Sequence, residues 1–475
     1  MNPRARLACW MGQSAALALK LSGQGAATSL PGKLALAVAP SLLSHLNHLG
    51  QDCLRIGVTG TNGKTTTAGL LSALLAAIDP AAGLLHNRLG ANMKNGLVTT
   101  LLMSEKKLAR SQYAVLEVDE ASLAGFTRDF PLNTLLVSNL FRDQLDRYGE
   151  LDTTARLIAD GFASVRGGLI LNADDPLVAS LSLKSSLPSL FFGVESVVFP
   201  DSLPHEPDLM RRVPFQTEVT NCPLSGEPLR YHRRFYGHLG HYASANGFSR
   251  PMPHVVARQI NLHVHASTLL IDIFPCPQQS PSQQLTLNVP LPGLFNAYNL
   301  LAAMAALVHT TQFKPLDETI LQEALNAFSG VFGRAEARDI HNRSVRVFLI
   351  KNPAGASEVI RLVSSDPKAK LVIAINDDYA DGRDISWLWD APFEWFSTIQ
   401  PPVVVSGRRA ADMAVRLKYA GLDEGQLQVE ANPKEAILKA IETMAPDETL
   451  YVLPTYTALL QLRCWLSGWP VLSAE

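Results

Sequence analysis

The stretch LRIGVTGTNGKTTTAGLLSALLAAI, residues 54–78, leaves this chain few folds to choose from. A β-rich apolar run enters a glycine-rich turn, and a helical pattern leaves it. A strand that feeds a helix in this way opens a parallel sheet with crossover connections. The same turn aims backbone N–H groups and the positive end of a helix dipole at one point, which suits phosphate oxygens. Gly60, Thr61, Asn62, Gly63, Lys64, Thr65 and Thr66 are the expected cradle. Within it Lys64 supplies a mobile positive charge and Thr65 a hydroxyl for Mg²⁺. The common pattern GxxxxGK[ST] needs glycine where Val58 stands, so this loop is a tighter variant. ATP is the expected ligand.

Mg²⁺ between phosphates takes one or two protein oxygens, so a carboxylate is expected at the end of a neighbouring strand. YAVLEVDEASL offers Glu117, Asp119 and Glu120. Strand alternation puts Glu117 and Asp119 on one face and turns Glu120 away. Glu117, nearest the apolar run, is the expected metal ligand.

Apolar runs alternate with helical patterns through the first two hundred residues: LRIGVTG, YAVLEV, NTLLVSNL, GGLILNA and SLFFGV are strands. Between about 196 and 256 the alternation fails, and Pro, His, Arg and Tyr accumulate as in an inserted module. Strand patterns return in INLHVHASTLLIDIF and QLTLNVPL. A second α/β unit then begins near 333, with VRVFLI, LVIAIND, PVVVSG and ETLYVLPTY as strands. The expected organisation is a helical lead-in over 1–50, a central ATP-binding α/β domain over 51–330 carrying the insert, and a C-terminal Rossmann-like α/β domain over 331–475.

The 475 residues hold 41 Lys and Arg against 43 Asp and Glu, so no global field draws the chain to nucleic acid or to an anionic membrane, and any such recognition must be local. Five cysteines at scattered positions 9, 53, 222, 276 and 464 argue for a reducing compartment without disulfides. The N-terminal LACWMGQSAALALKLSG is interrupted by Gln13, Ser14 and Lys20 and reads as an amphipathic helix rather than a cleaved signal. A cytoplasmic location is expected.

TGTNGKTTT, LEVDE, SNLFRDQLDRYGELD, LILNADDP, GLFNAYNLLAAMA, FGRAE and KNPAG follow one another in an order that resembles the Mur ligase superfamily. NLFRDQLDRYGELD, CPLSGEPLRYHRRFYGHLGHY and INDDYADGRDISWLWD are similar, more narrowly, to the MurT-like subunits of lipid II isoglutaminyl synthase. This resemblance covers nearly the whole chain. It implies a Mur-ligase-like fold and ATP-dependent amidation of the α-carboxyl of D-glutamate in the lipid II stem peptide. The reaction would pass through an acyl phosphate, with ammonia from a separate GatD-type glutaminase subunit. Membrane contact would be at most peripheral, through the lipid substrate. By the same resemblance Lys64 and Thr65 hold the β/γ-phosphates and Mg²⁺, and Glu117 holds the metal. Asn296 then meets the adenine, Arg334 reaches the nucleotide from the second domain, and Asp174 lines the nucleotide site. Lys351 of KNPAG is the candidate for stabilising the acyl phosphate or orienting the substrate carboxylate, and closure of the C-terminal domain would bring in Arg334 and the Lys351-Asn352-Pro353 turn and exclude water.

The departures from the pattern are informative. Amino-acid-adding Mur ligases resemble one another in a carbamylated lysine downstream of a DHLD-type motif, yet no lysine lies between Lys107 and Lys184, and Gln144 stands where those enzymes carry histidine. Amide formation is therefore expected over amino-acid addition as in Mur or folylpolyglutamate synthases. A scaffold that binds nucleotide without turnover is the non-enzymatic alternative. In the insert the family resembles a zinc ribbon, but only Cys222 is retained, with Ser225, Ala243 and Asn246 at the other positions. One thiolate cannot hold structural zinc, so no zinc is expected, and rescue by His232, His238 and His241 has no fixed geometry. Tyr231, Phe235, Tyr236, Leu239, Tyr242 and Phe248 would then hold a module looser than a metal-bound one.

Cysteine glutaminases need a base oriented by a third polar group, which a partner chain can supply. The resemblance implies an aspartate of the C-terminal domain. Asp381, Asp384 and Asp390 are the candidates, with Asp384 chosen, and Trp387 and Trp389 either anchor the partner or pack in the core.

Overall fold

The computed structural model describes residues 3–21, 29–87, 91–143, 151–200, 217–328 and 333–469. Three helices lead in: α1 (Pro3–Leu21), α2 (Leu30–Val38) and α3 (Leu42–Leu49). They pack through small residues, since a Cβ on Gly12 would lie 3.3 Å from the Ala35 Cβ. Among the described residues no helix is long and apolar enough to cross a membrane.

Ten strands form the larger sheet. β1 (Leu54–Thr59), β2 (Gly83–His86), β3 (Ser111–Glu117), β4 (Leu132–Val137), β5 (Val165–Asn172) and β6 (Ser189–Val194) run parallel in the order β6-β5-β4-β1-β3-β2. β7 (Val197–Val198) and β10 (Val255–Leu262) extend it in parallel, and β11 (Ser267–Ile273) and β12 (Gln283–Val289) close it as antiparallel strands. β1 is buried along nearly its whole length, as a parallel strand covered on both faces must be. Its neighbours β3 and β4 are reached by connections of opposite sense, so the crevice at the carboxyl end of β1 is the switch point where such sheets bind ligands. Helix α4 (Lys64–Ile78) leaves from that point, and α5 (Leu294–Thr310), buried on nearly every residue, packs against it.

The smaller sheet has six strands, ordered β13 (Arg334–Asp339), β14 (Ser344–Phe348), β18 (Thr449–Pro454), β15 (Ala369–Ala374), β16 (Val403–Ser406) and β17 (Leu427–Glu430). Only the β13–β14 pair is antiparallel. Its helix α6 (Pro353–Ser364) starts with Pro353 after Asn352, whose side chain accepts from the Gly355 N–H at 2.8 Å and caps it. α6 packs against α5, so the two sheets share one continuous hydrophobic core.

Two features of the expected insert change. Residues 197–198 belong to the large sheet, and among the described residues no ribbon is set off from the fold. Instead a hairpin, β8 (Arg230–Tyr236) and β9 (Leu239–Ala243), is wedged between the two sheets. Its anchors are polar as well as aromatic. Gly240 N donates to Asp174 O at 2.9 Å, Tyr242 Oη to Ala173 O at 3.0 Å, and Arg361 of α6 to Phe235 O at 3.1 Å. Among the described residues no group of three His, Cys, Asp or Glu side chains is arranged to hold a metal. Cys222 instead accepts a long hydrogen bond from Asn246 Nδ2 at 3.8 Å, and Ala243 bridges to Ser249. The Ser225 hydroxyl accepts from the Glu227 N–H. The histidines turn elsewhere: His238 is buried 3.4 Å from Asp175, His241 meets Val194 O at 2.8 Å, and His232 is exposed.

Candidate active site

Past the end of β1 the chain passes through Gly60 at φ +123° and Gly63 at φ +83°. Neither position admits a side chain. A Cβ on Gly60 would lie 2.4 Å from Ser138 Oγ, and one on Gly63 would lie 1.9 Å from Asn299 Oδ1. The loop between them is pinned to the end of β4: Thr61 N donates to Asn139 O at 2.9 Å, Asn62 N to Asn139 Oδ1 at 2.9 Å, and the Thr61 hydroxyl to Phe141 O at 3.1 Å. Thr65 and Thr66 lie buried in the first turn of α4, whose leading N–H groups have no carbonyl of their own helix to meet. Asn299 of α5 braces the turn from behind, accepting from Thr67 Oγ1 at 3.3 Å.

Lys64 is buried and donates to Gly60 O at 2.6 Å and to Glu120 Oε1 at 2.7 Å. Burial alone would lower its pKa, but Glu120, with Glu117 and Asp119 beyond it, outweighs that and raises it, so the ammonium is firmly charged. Glu120 also accepts from Gly60 N at 3.2 Å. Alternation had turned this residue away from the site. The strand ends at Glu117, however, and the chain folds over on itself, with Asp119 Oδ1 accepting from Ala121 N at 3.2 Å. That Asx-type turn in DEAS was the available signal.

Glu117 closes β3 beside Val58, one step from the cradle. Its Oε1 accepts from Asn92 Nδ2 at 3.1 Å, while Oε2 is buried with no hydrogen-bond partner. A buried carboxylate oxygen left without a donor is costly unless a cation meets it. Together with the Thr65 hydroxyl this donor set suits Mg²⁺, which is satisfied by one or two protein oxygens besides water and phosphate.

A cavity opens between the sheets over the cradle, walled by Gly63 and Thr66 on one side, by Asn296 and Tyr298 of α5, and by Phe348 and Lys351 of the smaller sheet's side. Asn296 is held by its Nδ2 bond to Pro292 O at 2.8 Å. Asp174 sits one layer further back. It is fully buried, accepts from Arg250 Nε at 2.6 Å, Val194 N at 2.8 Å and Tyr298 Oη at 2.7 Å, and touches the cavity wall through Tyr298. Arg334 opens β13 opposite Phe348, and its side chain, like Gln144, lies outside the described residues.

A second cavity adjoins the first and shares Lys351 with it. Lys351 forms an ion pair with Asp143 and lies 3.4 Å from Thr61 O, while Asn352 Nδ2 donates to Asn62 Oδ1 at 3.1 Å. The smaller sheet thus closes directly onto the phosphate loop. Asp143 was not among the expected site residues, although it stands in the quoted NLFRDQLD.

Asp381, Asp384 and Asp390 all line this second cavity. Of the three candidate aspartates, Asp381 is buried and already engaged, accepting from Asp378 N of its own loop at 3.1 Å and from Thr457 N of the distant helix Tyr456–Leu466 at 2.7 Å. Asp390 faces Arg142 at 3.6 Å. Asp384 is exposed, and Ser386, donating at 2.8 Å, holds its carboxyl below the usual range. The tryptophans divide: Trp387 packs partly into the core, and Trp389 is exposed, edge-on to Tyr419 at 5.5 Å.

Comparison with known proteins places this geometry in context. Residues 349–459 match the family described as MurT ligase C-terminal, and residues 58–211 match the Mur ligase middle domain. The MurT subunit of lipid II isoglutaminyl synthase (glutamine-hydrolyzing) from Streptococcus pneumoniae is 32% identical, with 100% of both chains covered. The MurT subunit from Staphylococcus aureus strain COL is 30% identical over 91% of each chain. Among solved structures, MurF from Acinetobacter baumannii superposes with TM-score 0.63 at 17% identity, covering 92% of this chain and 80% of that one. Mycobacterium tuberculosis folylpolyglutamate synthase does so with TM-score 0.58 at 14% identity, covering 91% and 94–95% of the two chains in its two structures, the second at 0.59.

Proposed function

This chain belongs to the MurT family of Mur ligases, and from that premise we propose how its site carries out glutamine-dependent amidation as the ligase subunit of a lipid II isoglutaminyl synthase. The substrate is the α-carboxyl of D-glutamate in the lipid II stem peptide, and a GatD-type glutaminase supplies ammonia. A carboxylate oxygen attacks the γ-phosphorus of ATP, ADP departs, ammonia adds to the acyl carbon, and phosphate leaves with the bridging oxygen. Mg²⁺, when bound at Glu117 and Thr65, offsets phosphate charge.

The chain's own groups do the rest. The Gly60–Thr66 loop and the first turn of α4 hold the phosphates, and Lys64 exchanges Glu120 for phosphate oxygen as nucleotide enters. Asn296 faces the base, and Arg334 approaches from the second domain. Lys351, steadied by Asp143, meets the acyl phosphate where the two cavities join, and closure of the smaller sheet excludes water. Asp384 completes the partner's cysteine–histidine pair. The observation that carries this reading is the shared wall at Lys351: one cavity runs to the phosphate cradle and the other to exposed Asp384.

The test compares nitrogen sources. Lys64→Ala is expected to abolish ADP release with glutamine and with ammonium alike. Asp384→Asn is expected to lose glutamine use and keep ammonium use. Equal loss of both activities in Asp384→Asn rejects the division of labour.

A further inference from the structure

Helix α1 carries apolar residues on both sides, yet among the described residues only one side is packed. Ala5, Ala8, Cys9 and Gly12 face inward and are buried against α2 and its neighbours. At 100° per residue, Leu7, Trp10, Ser14 and Leu17 fall on the opposite face. Leu7, Trp10 and Leu17 are 51%, 66% and 58% exposed. Leu30 and Leu34 of α2, the next helix, are exposed as well. Burying them inside the fold is ruled out by the small residues that already fill the inner side, so this face awaits a cover.

The charges around it say of what kind. Arg4 and Arg6 are exposed and flank the α1 stripe on its two sides, and Lys33 is exposed beside Leu34. No aspartate or glutamate occurs before Asp52, in a chain whose overall charge is −2. Glu105 acts on Cys9 from the inner side of α1. Basic residues beside a Trp and Leu stripe suit the interface of an anionic bilayer. A second copy paired about a two-fold axis would set like charges against each other.

We infer that the outer face of α1 and α2 is a membrane-docking surface for anionic phospholipid. The inference rests on the reading that the acceptor is lipid-linked, and it gives that reading a location. The platform is tied to the site: Gly32 N donates to Thr99 Oγ1 at 2.9 Å on the helix Lys94–Met103, which begins two residues after Asn92, the donor to Glu117. Docking there holds the cradle beside the surface that carries the substrate.

The test is sedimentation of the full chain, with and without its glutaminase, on phosphatidylglycerol and on phosphatidylcholine vesicles. Binding to the anionic vesicles is expected to exceed binding to the neutral ones at least about tenfold, and to fall with added salt. The combined change Leu7→Gln, Trp10→Gln and Leu17→Gln, and separately Arg4→Glu with Arg6→Glu, are each expected to abolish the preference. Both should leave amidation of a water-soluble, lipid-free precursor unchanged. Absence of vesicle binding, binding unaltered in both variants, or a concentration-dependent dimer that the Gln variant dissolves would overturn the proposal. Failure to amidate the soluble precursor would instead count against the function itself.

Discussion

Gly63 turns into α4 with φ +83°, and its missing Cβ leaves room for Asn299 Oδ1, which a methyl would meet at 1.9 Å. Gly63→Ala must therefore strain the backbone and push α5 away from the loop. It is expected to weaken ATP binding by at least about tenfold, read by calorimetric titration, since misplaced N–H groups lose the phosphate. Retained wild-type affinity would show that the loop tolerates the shift. The cradle residues were legible because glycine at a left-handed turn and lysine at a helix start have few other uses. Glu120 was not, since alternation holds only while the strand lasts and β3 ends three residues earlier. Asp143 was missed for a different reason: its partner Lys351 is distant in sequence, and no local pattern announces a contact between domains.

Among the elements, the buried parallel strands β1, β3, β4, β5 and β6 could be read from their apolar runs, whereas the four-residue edge strands β2 and β17 are too short to show a period. The hairpin was visible only as a failure of pattern. Aromatic residues were expected to hold it loosely, and the aromatic contacts are present, with Tyr231 and Tyr242 centroids 6.1 Å apart. A buried ion pair, Asp174 with Arg250, backs them and also reaches Glu195 at 2.9 Å. Arg250→Ala leaves Asp174 buried and short of its cation, at a cost of about 3 kcal/mol. Hydrogen exchange over Arg230–Ala243 should then accelerate about a hundredfold or more; unchanged protection would mean that the aromatic contacts suffice.

Helix α6 carries a second buried acid. Burial raises the Glu358 carboxyl to about 7 against the opposing pull of Arg361. The folded protein thus keeps this proton through a range in which the unfolded chain, near 4.5, has released it. Its contribution to stability is full below about pH 4.5 and is lost as pH rises to about 7. Urea unfolding of the smaller sheet and α6 should show Glu358→Gln gaining on the wild type by about 3 kcal/mol between pH 4.5 and 8. A difference independent of pH would show that Glu358 stays ionised when folded.

At the scale of the whole molecule, two sheets and a hairpin meet around one point. Lys351 and Asn352 reach from the smaller sheet to Thr61, Asn62 and Asp143 of the larger, so the arrangement is a closed one. In the proposed reaction such closure would bring the Lys351 cation to the acyl phosphate and wall off water. The overall α/β architecture followed from alternation and closure through the Lys351-Asn352-Pro353 turn from the resemblance, but the partners of that turn, Thr61, Asn62 and Asp143, did not, because they depend on surfaces whose complementarity no single segment encodes. Whether an acyl phosphate forms can be followed atom by atom. With the D-glutamate α-carboxylate of the precursor labelled in both oxygens by ¹⁸O, the phosphate released with each amide should carry one ¹⁸O, and Lys64→Ala should release none. Unlabelled phosphate accompanying labelled amide product would contradict the account.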